Sequence, residues 1–396
     1  MRNFFERWTV FLIIVGVGFV CILFYFTLGQ NIFSRRYDVL GVIVNPKGTA
    51  QSSSSPSSSL PPLVEGASTS LAALTPVDIA AYNAKLLSLA NIPTHTITVV
   101  VTSTIPGTTT IQRTKTTKTV SVPSIWPVKT TYPAAGALLP FNRIVAYYGN
   151  FYSTQMGVLG QYPPDQMMAM LASTTAVWAA ADPSTPVIPA IDYIVVTAQG
   201  SPGADGKYRL RMPDSQIDKA LALASSVNGL VFLDFQVAWS NVETEVPQYA
   251  SYLKLPNVEL SLDPEFDMEP GVKPDEEIGT MSASDINWAA NYLANIVTQN
   301  NLPPKILVVH RFTEDMVTNS ATIAPLPQVQ IVMDMDGWGS QAKKLNTYER
   351  VIAAEPVQFT GFKLFYKNDL LPPSTGMLSP QQVLQLSPQP SYIQYQ

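Results

Sequence analysis

From about Leu138 to its C-terminus the chain repeats one unit, a short apolar run rich in β-branched and aromatic residues followed by a stretch with helical periodicity. The strand-like runs span Arg143 to Tyr148, Val187 to Thr197, Gly229 to Val237, Val258 to Phe266, Lys305 to His310, Val329 to Asp336, Phe359 to Tyr366, and Ser391 to Tyr395. Helical patterns intervene at 164 to 181, 214 to 226, 244 to 253, 284 to 298, 341 to 354 and 379 to 386. Eight strands alternating with helices over about 260 residues predict an α/β fold of the (β/α)8 TIM-barrel type. A doubly wound open sheet is the alternative, because periodicity alone does not show closure. Asp214 and Ser284 read as helix N-caps, and Asn228-Gly229 as a left-handed C-cap leading into the third strand.

The 137 residues ahead of that repeat have a different texture. Trp8 to Leu28 is an uncharged apolar run, about the 20 residues that a helix needs to cross a bilayer. A cleaved signal peptide is the rival reading, but no small-x-small site follows closely. Arg2 and Arg7 on one side and Arg35 and Arg36 on the other leave the orientation undecided by charge. The tract Gln51 to Ser59 is nearly all serine and too polar to pack. A Ser/Thr/Pro-rich tether ahead of a globular unit reads as a surface stalk. The expected organisation is therefore a cytoplasmic tail and transmembrane helix (1–30), a Ser/Pro-rich linker (31–75), a short helix with a Thr/Val-rich hairpin or extended spacer (76–137), and an extracytoplasmic barrel (138–396). The helix falls at about Pro76 to Ala90. The spacer, Thr94 to Val122, turns at Ile105-Pro-Gly107.

Composition excludes several chemistries. A net charge of −5, pI near 5.1 and 13% charged residues give no basic footprint for nucleic acid. Cys21 is the one cysteine, so no intramolecular disulfide and no thiolate metal site can form. Two histidines, His95 and His310, are too few for a His-rich zinc site. No metal or cofactor is expected, although a divalent cation such as calcium held by carboxylates remains open. The G-x-G-x-x-G and Walker spacings are absent, which argues against a nucleotide.

Active sites of such barrels lie at the C-terminal ends of the strands. Polar residues end strand after strand here: Asp234 and Gln236, Asp263 and Glu265, His310, Asp334 and Asp336, then Lys363 and Tyr366. In Val258-Glu-Leu-Ser-Leu-Asp-Pro-Glu-Phe-Asp267, residues two apart on a strand share a face, so Glu259, Asp263, Glu265 and Asp267 are expected to point the same way. Glycosidic bond chemistry needs one protonated carboxyl and a second carboxylate. Glu265 is the expected acid, Asp263 its partner in sharing or orienting the proton, and Asp334 or Asp336 the group facing it. Tyr147, Tyr148, Trp239, Trp338 and Tyr366 are read as flat faces for sugar rings, with Asp234, Gln236, His310 and Lys363 as further ligand contacts. Each has a plainer reading as a cap, a rim hydrogen bond or a buried counter-ion.

Ala146-Tyr-Tyr-Gly149, Met156-Gly-Val-Leu-Gly160, Leu262-Asp-Pro-Glu-Phe266, Ile286-Asn-Trp-Ala289, Val308-Val-His310, Met333-Asp-Met-Asp-Gly337 and Gly361-Phe-Lys-Leu-Phe-Tyr366 together resemble a group of bacterial envelope proteins with a glycosidase-like barrel. The resemblance covers about residues 140 to 396 and implies a fold and a compartment more than an activity. A looser similarity is to chitinase-type and lysozyme-like muramidase barrels, which would place Asp263 and Glu265 on an Asp-x-Glu element at the end of strand four. Ser261 stands where the chitinase-type pattern has a further Asp, and Pro264 interrupts the element. Three readings follow: a membrane-anchored glycoside hydrolase or transglycosylase, a catalytically silent barrel that binds glycans or builds a surface structure, and a lyase or aldolase using Lys363. All but the last take a polysaccharide or glycan as ligand, and residues 8–28 take the lipid bilayer. Self-association is not legible.

Overall fold

The computed structural model describes residues 74 to 396 other than 105, 107 to 110, 122 and 123. The apolar run 8–28, Cys21 and nearly all of the Ser/Pro-rich linker lie outside the described residues. Among the described residues no helix is long and apolar enough to cross a membrane.

Helix α1 (Ile79–Ala90) starts where the Asp78 carboxylate accepts the Ala81 N–H at 3.0 Å, and ends at Asn91 in the left-handed region. Strands β1 (Thr94–Thr104) and β2 (Ile111–Ser121) then form the expected antiparallel hairpin, with Thr94 opposite Ser121 and Thr104 opposite Ile111. In chain order follow β3 (Arg143–Gly149), β4 (Val187–Ala198), the short β5 (Arg209–Arg211), β6 (Leu230–Phe235), β7 (Val258–Leu262), β8 (Met281–Ser282), β9 (Lys305–Arg311), β10 (Val317–Thr318), β11 (Val329–Met335), β12 (Phe359–Leu364) and β13 (Tyr392–Tyr395). Helices α2 (Pro164–Ala181), α3 (Asp214–Ser225), α4 (Ala283–Asn300) and α5 (Gln341–Thr347) are the longer connections.

Eight strands join in parallel in the order β3-β13-β12-β11-β9-β7-β6-β4, and β4 pairs back onto β3, with Arg143 opposite Val187 and Gly149 opposite Tyr193. First and last strands that pair make a closed barrel, so the open sheet is ruled out. The barrel is a TIM barrel, and its eight strands coincide with the eight apolar runs.

Apart from the short strands β5, β8 and β10, which the sequence reading does not contain, the differences from it lie in how the elements begin, end and bend. The run 244–253 is broken into two helical turns around a 3-10 segment, Val246–Tyr249. Pro247 there has no N–H to donate to the helical ladder. The run 341–354 begins as α5 and widens into a π-turn, Tyr348–Ala353. Ser282, not Ser284, caps α4, through a capping box with Asp285, while Asp214 is the first helical residue rather than a cap. Asn228 is left-handed as read, with φ of 51°.

Inside the barrel the N-terminal half is mainly apolar, with Glu259 and Gln330 the buried polar side chains among its neighbours. Ile144, Leu230, Phe232, Ile306, Val308, Val332 and Phe359 pack with Tyr82, Leu86, Leu89, Trp126 and Leu139. These last residues precede β3, and they sit over strand beginnings. The Trp126 indole N–H donates to the Gln358 carbonyl at 2.9 Å, and the Gln330 side-chain oxygen accepts the N–H groups of Leu138 and Leu139. The boundary read at 137/138 therefore does not divide packing units: α1 and the segment around Trp126 are the floor of the barrel. An apolar barrel end exposed to water is unfavourable at about 25 cal/mol per Å2, which explains why the chain commits a helix to covering it.

Candidate functional site

Strand β7 carries Glu259 and Ser261 on one face but stops at Leu262, one residue short of Asp263. Asp263 caps a 3-10 turn, Pro264–Phe266, by accepting the Glu265 N–H at 3.3 Å. Pro264 cannot donate to the ladder, so the period-two alternation ends there. The single acidic face expected of Glu259, Asp263, Glu265 and Asp267 is thus split in three. Glu259 is buried near the beginning of the strand, where it accepts the Ile306 N–H at 2.5 Å. Asp263 and Glu265 stand at the C-terminal end. Asp267 turns away with Glu269, Glu277 and Asp285 into a separate cleft of about 370 Å3.

At the C-terminal end the inward residues of six strands meet around His310. Its Nε2 lies 3.0 Å from Ser261 Oγ and 3.3 Å from Asp234 Oδ2, and its Nδ1 lies 3.1 Å from Asp334 Oδ2 and 3.4 Å from Asp336 Oδ2. Lys363 Nζ sits 3.0 Å from both oxygens of Asp336 and 3.8 Å above the Tyr148 ring. Gln236 Nε2 reaches Tyr148 Oη at 3.2 Å and Asp263 Oδ2 at 3.3 Å, while its own oxygen accepts the Ala198 N–H. Tyr148 Oη is 3.4 Å from Asp234 Oδ1. Gly361 on β12 is needed for close approach, because a Cβ there would stand 2.4 Å from Asp334 Oδ1.

Asp192, which the sequence reading passed over, belongs to the same cluster. Its Oδ2 accepts from the Tyr392 hydroxyl at 2.6 Å and the Gln394 amide at 2.8 Å, and its Oδ1 has no hydrogen-bond partner among the described residues. The signal was available: Asp192 interrupts the apolar run Val187 to Val196, and a buried acid in mid-strand has to be neutral or partnered. Tyr392 and Gln394 have no place in the sequence reading of the site, and Ser261 enters it only as a departure from the chitinase-type pattern. They carry no charge, and only closure of the barrel brings them to the cluster.

Six carboxyl groups (Asp192, Asp234, Asp263, Glu265, Asp334, Asp336) thus share two cations, His310 and Lys363. Like charges out of water cannot all ionise, so protons must stay on some of them. Burial works against charge on His310, but the hydrogen bonds to Asp234 and Asp334 outweigh it and raise the imidazole well above its usual range. Burial also opposes Lys363, and the Asp336 and Asp263 charges overcome it. Burial and then the Asp234 charge push Asp192 up to about 8 and Asp263 to about 7. Burial, Asp263 and Asp336 push Glu265 up to about 8. Burial thus favours the protonated form of Asp192 and Glu265 up to about pH 8 and of Asp263 up to about pH 7, and it raises Asp334 as well, while Asp336 faces two cations.

Glu265 is the most accessible of the six, half-buried where Asp263 is 2% and Asp334 0% exposed. The structure brings Tyr148, Asp234, Gln236, Asp263, His310, Asp334, Asp336 and Lys363 together, with Glu265 at their outer side. Tyr147 and Tyr366 are not part of this group. The Tyr147 side chain points outward from β3, with Oη 2.8 Å from Thr174 Oγ1 on α2 and 3.0 Å from Tyr366 Oη, so both rings fill the layer between strands and helix. The pleat explains it: Tyr148 faces in, so Tyr147 faces out. Trp239 and Trp338 occupy loops after β6 and β11, half-buried; Trp239 packs on Tyr208 and donates to the Val272 carbonyl, and Lys343 lies 5.0 Å over Trp338. Among the described residues no group of three or more His, Cys, Asp or Glu side chains is arranged to hold a metal ion.

No protein-family model matches the chain, and no curated protein does. Among solved structures it is similar to a cellulase, Cel5C_n, at 12% identity and a TM-score of 0.33, covering 56% of this chain and 65% of that one. It is also similar to a GH5-4 broad specificity endoglucanase from an uncultured bovine rumen ciliate, at 9% identity and a TM-score of 0.30, covering 52% and 72%. The chain thus spans a little under two thirds of the cellulase. The fold assignment rests on the closed strand pairing of β3 to β13, and what these groups do chemically rests on their own geometry.

Proposed function

We propose that the barrel is a glycoside hydrolase or transglycosylase domain, held outside the cell membrane by residues 8–28 with the N-terminus cytoplasmic, and acting on envelope or environmental polysaccharide. The observation that carries this reading is the Asp263–Glu265 turn at the C-terminal end of β7. It presents one accessible carboxyl that burial and its acidic neighbours push up to about 8, beside a cluster in which Asp336 meets both Lys363 and His310. Glu265 then acts as general acid toward a glycosidic oxygen. Asp263, fixed by Gln236 and by the turn, shares its proton and sets its orientation. The half-buried rim tryptophans, Trp239 and Trp338, supply flat faces for sugar, while Tyr148 is buried beneath Lys363 and stays within the cluster.

A second reading, a silent barrel that binds glycans without turnover, has one observation in its favour. Asp234, Asp263 and Asp334 are almost fully out of solvent and Lys363 neutralises Asp336, which suits a structural charge cluster as well as a catalytic one. The lyase reading is not favoured, since Lys363 is held as a cation by Asp336 and an imine-forming amine has to be neutral.

Hydrolysis of a glycan panel that includes peptidoglycan and chitin oligomers, by the full chain beside its Glu265→Gln variant, tests the proposal. Turnover reduced at least a hundredfold in the variant, with ligand affinity and Tm nearly unchanged, is expected. No turnover by the parent chain, with sugar binding that persists in the variant, selects the silent barrel.

A further inference from the structure

The β1–β2 hairpin takes no part in the barrel or its site. It spans 11 residues on each strand, pairs only with itself among the described residues, and leaves Ile97, Val100, Val101 and Ile111 exposed. A lone two-stranded ribbon is marginally stable in water, and each strand offers a free row of N–H and C=O groups. The two free edges are not alike. β2 carries Arg113 and Lys115 on one face and Lys118 on the other, charges of the kind that keep an edge from pairing. β1 has no Lys, Arg, Asp, Glu or Pro.

The sequence of β1 also reads nearly alike in both directions from Val99. Thr94-His-Thr-Ile-Thr-Val-Val-Val-Thr-Ser-Thr104 has Thr at both ends, Thr96 matched by Thr102, and Ile97 by Val101. Antiparallel pairing of this strand with a second copy would put Val99 against Val99, Thr98 against Val100, Ile97 against Val101, Thr96 against Thr102 and Thr94 against Thr104, every pair β-branched, with His95 against Ser103 the one exception. A two-fold interface requires one patch that complements itself, and β-branched pairs are favoured cross-strand neighbours. An unrelated partner strand would not call for this symmetry.

We propose that β1 is a dimerisation edge, on which two copies of this chain pair β1 to β1 about a two-fold axis through Val99 and form a four-stranded sheet with the charged β2 strands outermost. The pairing is independent of any activity of the barrel. It is also independent of the membrane anchor, which would only raise the local concentration of copies.

Photo-crosslinking on the full chain in detergent micelles tests this, with benzoylphenylalanine in place of Val99 and, separately, in place of Thr114 on β2. The expected result is a dimer from the Val99 probe whose linked peptides join position 99 to positions 97–101 of another copy, and none from the Thr114 probe. In sedimentation, Val99→Lys sets two ammonium groups against each other at the axis and is expected to weaken the dimer at least tenfold. Thr114→Lys, on the same face of the ribbon but on the guarded strand, is expected to leave it intact. A parent chain that sediments as a monomer at micromolar concentration, cross-links from β1 to any other segment, or equal products from both probes would overturn the proposal. The cross-linking decides the matter even where Val99→Lys disorders the hairpin.

Discussion

The two ends of the barrel are made from the same eight strands and obey opposite rules. At the N-terminal end Ile144, Phe232, Ile306 and Phe359 meet Tyr82, Leu89, Trp126 and Leu139, and of the two polar intruders Gln330 is satisfied by three backbone groups and Glu259 accepts the Ile306 N–H. At the C-terminal end six carboxyls surround His310 and Lys363, and Asp192 Oδ1 and Asp334 Oδ1 have no hydrogen-bond partner among the described residues. The apolar end stabilises the fold. The polar end costs stability whenever its protonation state is disturbed, and costly arrangements of this kind collect at functional sites.

The sharpest way to break this contrast is to remove the central cation. His310→Leu leaves Asp234, Asp334 and Asp336 with Lys363 as their one cation, and a loss of about 3–5 kcal/mol in denaturant unfolding is expected. A loss below about 1 kcal/mol would mean that the cluster is wet rather than buried. At the other end Leu89→Ala should cost about 2–4 kcal/mol by opening a cavity. That loss should be the same at pH 5 and pH 8, because no titrating group is touched.

The pH dependence of the parent chain separates the two ends further. Asp192, Asp263 and Glu265 have folded pKa values of about 8, 7 and 8, raised from the usual carboxylate range near 4. Between these values the folded state binds more protons than the unfolded state. Stability is therefore fully present below about pH 4 for these groups and is lost as pH rises toward 8. His310, also raised, adds a loss in the same direction above its unfolded pKa of about 6.5. A fall on the order of a few kcal/mol from pH 5 to pH 8 is expected in unfolding curves, opposite in sign to ordinary acid denaturation. Asp192→Asn is the mildest change. It replaces a neutral acid by a neutral amide, should cost less than about 1 kcal/mol at pH 5, and should flatten the slope toward pH 8.

The legibility of these features follows from the range of the interactions that make them. All eight barrel strands were visible as apolar runs, because a strand buried on both faces is written locally in β-branched and aromatic residues. The hairpin β1–β2 was visible for a similar reason, through its Thr/Val alternation and the turn between. Strand and helix ends were less so: Pro264 and Pro247 each stand inside a run that the pattern alone carried past them. Of the site, Asp263, Glu265, His310, Asp334, Asp336 and Lys363 were read as a group because each ends a strand. Tyr147 and Tyr366 were misplaced by the same reasoning, since proximity to a strand end does not say which face a side chain takes.

What the sequence by itself determined is the order and spacing of the elements, the polarity of each strand end, and the near-symmetry of β1 about Val99. These depend on neighbours a few residues apart. Closure of the sheet by pairing of β13 with β3, the use of α1 and Trp126 as the barrel floor, and the sharing of His310 among Asp234, Asp334 and Asp336 were decided by tertiary structure. Each joins residues far apart in the chain, and the protonation of a carboxyl depends on all the charges brought within a few ångströms of it, whatever their distance in sequence.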